Sequence, residues 1–143
     1  MPRSLTGRMP VLREMSMTVA SGLLYTKDHE WARVEGDTAT VGITDYAQEQ
    51  LGEVVFVELP KVGKELDVHK EFAVVESSKA ASDVYCPVAG KVTEVNAELE
   101  TKPERINEDC YNAGWICKLK ITDKKSLAGL MDAKKYEEYL KTL

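Results

Sequence analysis

Short apolar runs separated by turn residues dominate the chain after residue 22. The runs TATVGI (residues 38–43) and EVVFVEL (residues 53–59) are rich in the β-branched and aromatic side chains that favour strands. The segment between them predicts one short helix after residue 44. Asp45 and Gln48 have the spacing of a capping box, and Gly52 is a typical helix stop.

Near its end the chain changes to a helical period. Behind a candidate cap at Asp132, apolar residues recur at helical spacing: Tyr136, Tyr139, Leu140 and Leu143. The pattern therefore predicts helices at the C-terminal margin of a β-rich body.

Two strand-like segments of the chain resemble each other. LGEVVFV (residues 51–57) and AGKVTEV (residues 89–95) share one glycine and two valines at a constant offset. A repeat too short to bury its own core predicts two similar β units stacked face to face, with chance similarity as the alternative. We therefore predict a mostly-β fold, a flattened barrel or sandwich of two small sheets.

One lysine, Lys79, stands among serines and alanines in VVESSKAASDVYCPVAG (residues 74–90). We predict that Phe72–Val75 and Val84–Val88 pair as antiparallel strands and that Glu76–Asp83 forms the connecting turn. Small neighbours give a lysine stem no apolar surface to lie along, so the amine should be accessible. This suits modification by another enzyme better than Schiff-base catalysis, which needs a desolvated lysine. The alternative is an ordinary solvated lysine.

Length, composition and charge narrow the class of protein. The 143 residues fit a single domain, and no apolar run approaches the roughly 20 residues that span a bilayer. The net charge of -5 argues against nucleic acid, which requires a basic surface. We therefore expect neither a membrane nor a nucleic-acid partner.

Residues 1–22 differ in composition from the rest of the chain. They contain three arginines and a single acid, which is typical of a mitochondrial transit peptide, although Pro2 and Pro10 would interrupt an amphipathic helix. A disordered or cloning-derived extension is the alternative. We assign residues 23–143 to the folded domain.

The three cysteines, Cys86, Cys110 and Cys117, form no C-x-x-C pair and lie near no histidine cluster. We expect no disulfide framework and no metal site, and we interpret the cysteines as small buried apolar residues. A thiol enzyme using His29 or His69 is a weak alternative, because no nucleophile motif surrounds a cysteine.

VVESSKAASDVYCPVAGKVTEVN (residues 74–96) closely resembles the lipoyl-attachment segment of the glycine cleavage H-protein family. The resemblance covers nearly all of residues 23–143 and extends through HEW (29–31), VGITDYAQEQLGEVVFVELP (41–60) and INEDCYNAGWICKLK (106–120). It implies a lipoyl/biotinyl-like barrel-sandwich hybrid and a carrier, not an enzyme.

The resemblance also implies roles for particular residues. Lys79 matches the lysine that carries lipoic acid in amide linkage, and Glu76, Ala80 and Asp83 match its recognition surround. Biotinyl relatives place the lysine between methionines, whereas Ser78 and Ala80 flank it here. The resemblance therefore implies lipoic acid and not biotin as the covalent cofactor.

A second set of residues matches the cleft that receives the loaded arm in the family. Glu30 matches a position near this cleft, where a carboxylate pairs with a cationic aminomethyl group. His29 either contributes there or packs against its neighbours. We expect Trp31 and Trp115 to belong to the core and not to a contact surface.

The function that the resemblance implies is that of a shuttle in glycine catabolism and one-carbon metabolism. In the family, lipoyl-lysine takes an aminomethyl group from the glycine decarboxylase (P-protein) to the aminomethyltransferase (T-protein) and is reoxidised by dihydrolipoamide dehydrogenase (L-protein). A lipoate ligase or lipoyltransferase attaches the cofactor. The alternative is a relay that passes lipoyl groups to other 2-oxoacid dehydrogenase complexes. The implied location is the mitochondrial matrix in a eukaryote and the cytoplasm in a bacterium.

Overall fold

The computed structural model describes residues 19–143, and most of its regular structure is β. Residues 1–18, which contain most of the predicted transit peptide, lie outside the described residues. The described strands are β1 Leu24–Tyr25, β2 Glu30–Glu35, β3 Thr38–Ile43, β4 Val54–Glu58, β5 Glu65–Leu66, β6 Glu71–Ser77, β7 Ala81–Tyr85, β8 Ala89–Val95 and β9 Cys117–Asp123. The helices are α1 Asp45–Leu51, α2 Glu98–Thr101, α3 Arg105–Glu108, a 3-10 helix Lys124–Gly129 and α4 Ala133–Leu140.

The strands form two antiparallel sheets, one of six strands in the order β1-β2-β3-β9-β8-β5 and one of three in the order β4-β6-β7. The predicted mostly-β fold of two sheets with marginal helices is confirmed, although one sheet is twice the size of the other. The two similar segments become β4 and β8, which lie in different sheets.

Valine and leucine side chains fill the space between the sheets. Val57 and Val75 come from the small sheet, and Val41, Val92 and Leu119 come from the large one; none is more than 2% exposed. Burying each such side chain stabilises the fold by about 1.5–3 kcal/mol. A second cluster around Tyr25, Trp31 and Tyr136 packs α4 against β1 and β2.

Both predicted helices are present, with a change at one end of each. The N-cap of α1 is Thr44 and not Asp45: the Thr44 hydroxyl accepts from the Ala47 amide at 3.3 Å, whereas Asp45 accepts from the Gln48 side chain at 2.7 Å. Gly52 ends the helix at a φ of +82°, which glycine adopts readily.

The C-terminal helix begins as predicted, because Asp132 caps α4 by accepting from the Lys135 amide at 2.8 Å. The helix ends at Leu140, so Leu143 lies beyond it and is 59% exposed. Within residues 19–143, no helix is long and apolar enough to cross a membrane.

The predicted strand Val84–Val88 is wrong in its bounds. Strand β7 ends at Tyr85, and β8 begins at Ala89. Pro87 lies in the gap, and a proline has no amide hydrogen to donate to a strand ladder. The sequence also predicted that DVYCPVAGKVTEVNAEL (residues 83–99) contains two short strands divided near Pro87–Gly90, and this division is confirmed, since β7 and β8 lie in different sheets on either side of Pro87.

Candidate functional site

Lys79 lies at the tip of the hairpin between β6 and β7. The connecting turn is only residues 78–80, called the lysine turn below, and all three of these residues are exposed. The Ser77 amide closes the hairpin by donating to the Ala80 carbonyl at 2.7 Å. The predicted accessible lysine between two strands is thus where the structure places it.

The turn is shorter than the predicted Glu76–Asp83. Glu76 lies in β6 and pairs with Ala81, and Asp83 lies in β7 and pairs with Val74. Backbone hydrogen bonds can form with any non-proline residue, so the small residues at 81 and 82 continue the ladder. The small side chains at 81 and 82 led the sequence analysis to predict a turn there, but both residues lie in β7.

The Ser77 hydroxyl fixes the conformation of the lysine turn. Ser77 is 9% exposed, and its Oγ accepts from the amides of Lys79 at 3.3 Å and Ala80 at 3.1 Å. A serine that bonds to the amides following it is a recurrent turn device. Sequence reasoning missed this residue, although a serine within the predicted turn Glu76–Asp83 was the available signal.

The Lys79 side chain lies over the end of α1. A Cβ atom built on Gly52 would be 3.3 Å from Lys79 Cε and 3.8 Å from Nζ. Carbonyl groups at the C-terminal end of a helix favour a positive charge. The lysine turn is also tied to this region, because the Ser78 amide donates to the Glu53 carbonyl at 3.2 Å.

An acidic cleft of about 230 Å³ adjoins the lysine turn, between β2, α1 and β7. Three carboxylate residues line it, Asp28, Glu30 and Asp83, and Leu51 and Val84 contribute apolar wall. Leu51 directly precedes Gly52, over which the lysine side chain lies. The structure therefore brings the sequence-predicted Lys79, Glu30 and Asp83 to one region, and it adds Asp28.

Glu30 is the most buried acid of the cleft, with only 3% of its surface exposed. Its Oε1 accepts from the Thr26 hydroxyl at 2.6 Å, and its Oε2 accepts from the Tyr85 amide at 3.2 Å. Burial raises the pKa of Glu30 to about 7, and the two hydrogen bonds oppose part of this effect. Near neutral pH the side chain can therefore gain or lose a proton in response to a nearby cation.

His29 lines the cleft and also packs against tyrosines. Its Nδ1 lies 2.8 Å from the Tyr136 hydroxyl, and its ring centroid is 4.4 Å from that of Tyr46. Burial lowers the pKa of His29, which favours the neutral ring. Packing, one of the two roles predicted for His29, is therefore observed. A contact between His29 and the loaded lipoyl arm stays a prediction.

The predicted recognition residues surround the lysine turn. Glu76 and Asp83 share the outer face of the small sheet. Glu76 pairs with Ala81, which lies two residues before Asp83 in β7, and side chains two residues apart in a strand point to the same face. Phe56 pairs with Glu76 on this face and is 48% exposed. Ala80 is the last residue of the turn itself.

The tryptophans differ from each other. Trp31 is fully buried, and its indole nitrogen donates to the Cys110 carbonyl at 3.0 Å, whereas Trp115 is half-buried beneath Lys118. The core prediction is confirmed for Trp31 and only in part for Trp115.

All three cysteines are buried and free. Burial raises the pKa of Cys86 and Cys110 to about 12 and also raises the pKa of Cys117. The thiolate is the reactive form of cysteine, so these side chains are suited to packing and not to nucleophilic chemistry.

Two packed antiparallel sheets with an exposed lysine at a hairpin tip define the lipoyl-domain-like barrel-sandwich class. The profile of the glycine cleavage H-protein family matches residues 23–143. The chain therefore belongs to the glycine cleavage H-protein family, whose members are carriers and not catalysts.

Individual relatives agree with this assignment. A glycine cleavage system H protein of Halothermothrix orenii is 54% identical over 124 residues, which cover 87% of this chain and 97% of that protein. One of Beijerinckia indica is 59% identical over 119 residues, covering 83% and 96%. The crystal structure of a glycine cleavage system H protein from Mycobacterium marinum superposes with a TM-score of 0.79 at 35% identity, over 87% of this chain and 100% of that one.

Proposed function

We propose that residues 23–143 form the lipoyl carrier of a glycine cleavage system and that lipoic acid is attached to Lys79 in amide linkage. The single observation that carries this proposal is an exposed lysine, on a turn fixed by Ser77, beside an acidic cleft. Family membership supports the general role, and the position of Lys79 supports the particular residue.

The surroundings of Lys79 fit covalent modification. In the attachment step, Nζ attacks the carbonyl carbon of an activated lipoyl group, the bond to the leaving group breaks, and Nζ loses a proton. Ser78, Ala80 and Ala81 are small and exposed, so they leave room for the active site of a lipoate ligase or lipoyltransferase. The carboxylates of Glu76 and Asp83 offer that enzyme charged contacts on one face.

The acidic cleft fits the temporary storage of a cationic amine. A lipoyl group supplies a reducible disulfide and a sulfur that carries a one-carbon amine. Asp28, Glu30 and Asp83 offset a positive charge at the cleft, while Leu51 and Val84 exclude water from it. Because the lysine turn adjoins the cleft, the same flexible arm can rest there or extend to a partner.

The proposed partners are the glycine decarboxylase, the aminomethyltransferase and dihydrolipoamide dehydrogenase. A carrier that visits several enzymes requires weak and reversible docking, and the net charge of -5 favours partners with basic docking surfaces. The relatives described above are bacterial, which favours the cytoplasm over the mitochondrial matrix. The transit peptide stays a prediction about residues outside the described part of the chain.

A reconstituted exchange reaction tests this function. With glycine decarboxylase and labelled bicarbonate, the lipoylated protein should support incorporation of label into glycine, and Lys79→Arg should abolish it. Lys91→Arg changes an exposed lysine of β8 and should leave the exchange intact. No exchange with fully lipoylated protein would instead favour the lipoyl relay.

A further inference from the structure

Asn107, on α3, joins three separate segments through its side chain. Its Oδ1 accepts from the Val54 amide at 2.8 Å. Its Nδ2 donates to the Gly52 carbonyl at 2.9 Å and to Gln48 Oε1 at 2.8 Å. Both donor hydrogens of the amide and one acceptor position are therefore used, and they join α3 to the helix α1, to Gly52 directly after it and to the start of β4.

The junction between α1 and β4, residues 52–54, supports the lysine turn, and we call it the strap. Gly52 lies under the Lys79 side chain, and the Glu53 carbonyl accepts from the Ser78 amide. Asn107 bonds to the residues on both sides of Glu53. The strap thus has Asn107 on one side and the lysine turn on the other.

Apart from Asn107, the strap is held at its two ends: the Gly52 amide donates to the Gln48 carbonyl at 3.0 Å, and buried Val54 pairs with Ser77. Gly52 has a positive φ and no side chain, and the Glu53 side chain is exposed. The register of β4 with β6 is irregular between Val54 and Phe56, so the strand ladder is disrupted next to the strap. A side chain that bonds to two backbone groups here limits motion that the ladder itself does not limit.

We propose that Asn107 is a positioning residue for the modification of Lys79: it holds the strap, and the strap holds the lysine turn at a defined height. This inference rests on the proposed function. An acyl-transfer enzyme must bring Nζ to within about 3–3.5 Å of the acyl carbon, so it acts only on molecules whose turn is in place. If the strap is loosened, fewer molecules present the lysine correctly.

Asn107→Asp tests this inference against a matched control. Aspartate has the shape of asparagine but places a carboxylate oxygen against the two acceptors that Nδ2 now serves. Asn96 provides the control, because its Nδ2 also donates to two oxygens, the carbonyls of Ala113 and Trp115, and it contacts neither the strap nor the lysine turn. Asn96→Asp therefore loses the same kind of bonds elsewhere.

Two readouts separate positioning from general stability. The first is the kinetics of lipoyl attachment by a lipoate ligase with lipoate and ATP. Asn107→Asp should raise the KM for the carrier by about tenfold with little change in kcat, as expected when only a fraction of molecules is competent. The second is hydrogen exchange of the Ser78 amide, which should become faster in Asn107→Asp and stay unchanged in Asn96→Asp.

The inference is overturned if Asn107→Asp keeps the wild-type KM and Ser78 exchange, or if Asn96→Asp shows equal changes. Should Asn107→Asp fail to fold, Asn107→Ala removes the same bonds without adding a charge, and the same criteria apply. If the wild-type protein takes no lipoyl group on Lys79, the proposed function fails instead. Ser78 exchange then still decides whether Asn107 holds the lysine turn.

Discussion

Replacing Glu30 by glutamine should make the protein less sensitive to rising pH. The Glu30 carboxyl is 3% exposed, and its burial raises the pKa from an ordinary value of 4.5 to about 7. Between these two values the folded state keeps the proton, whereas the unfolded state has lost it. The folded protein therefore loses stability as the pH rises through this window.

The size of the effect follows from the difference between the two pKa values. Each unit corresponds to about 1.4 kcal/mol, so a pKa of about 7 against 4.5 corresponds to a loss of ~3 kcal/mol. Glutamine carries no such cost. Its oxygen can accept from the Tyr85 amide, but its NH2 group then faces the Thr26 oxygen, which already accepts from the Asp28 and Glu30 amides. The substitution therefore loses the hydrogen bond from the Thr26 hydroxyl, and the cost of this loss does not change with pH.

The assay is urea unfolding of both proteins from about pH 4 to about pH 8, with the free energy of unfolding taken at each pH. Relative to wild type, Glu30→Gln should gain stability with pH, by ~3 kcal/mol in total. Glu35→Gln removes a carboxylate from the exposed end of the same strand and should show no such trend. A Glu30→Gln difference that stays constant with pH would refute the reasoning.

Three further outcomes are expected. Gly42→Ala should lower the free energy of unfolding by about 1–3 kcal/mol, because a Cβ would lie 2.8 Å from the Trp31 ring; an unchanged urea midpoint would contradict this. Ser77→Ala should slow lipoyl attachment and cost about 1 kcal/mol of stability. Ser126→Ala removes a hydroxyl of the 3-10 helix that accepts from the Ala89 amide and donates to the Asp123 carbonyl, away from the lysine turn, and should affect stability alone. The three thiols should resist Ellman's reagent in the native protein and react once urea unfolds it, and rapid labelling without urea would contradict their burial.

The sequence predicted those elements whose local signals agree with the tertiary structure. The strand at Thr38–Ile43 and the helix at Asp45–Leu51 were found because β-branched runs and stop residues act locally. Strand β9 was missed, although it lies between β3 and β8 in the large sheet. Its alternating apolar and polar residues are the local signal of a half-buried strand, and this signal was overlooked. Its pairing with β3 and β8 could not be predicted, because partners distant in the chain leave no local signal.

The sequence predicted the part of the candidate site that a local pattern or the family resemblance identifies, and it did not predict the part that depends on contacts between distant segments. Lys79 was found from its small neighbours and from the family resemblance. Asn107 was missed, because its importance depends on a contact with a segment 55 residues away. Gly52 was predicted as a helix stop, but its position under the Lys79 side chain was not, since that contact joins separate segments. The burial of Glu30 was likewise invisible, since it requires β7 to lie against β2.

The most direct test of the account is the mass of the intact protein after expression with lipoate and a lipoate ligase, followed by peptide mapping. We expect the increment of one lipoyl amide, located on the peptide that contains Lys79, and no increment in Lys79→Arg. An unmodified mass, or a lipoyl group on another lysine while Lys79 stays free, would contradict the account.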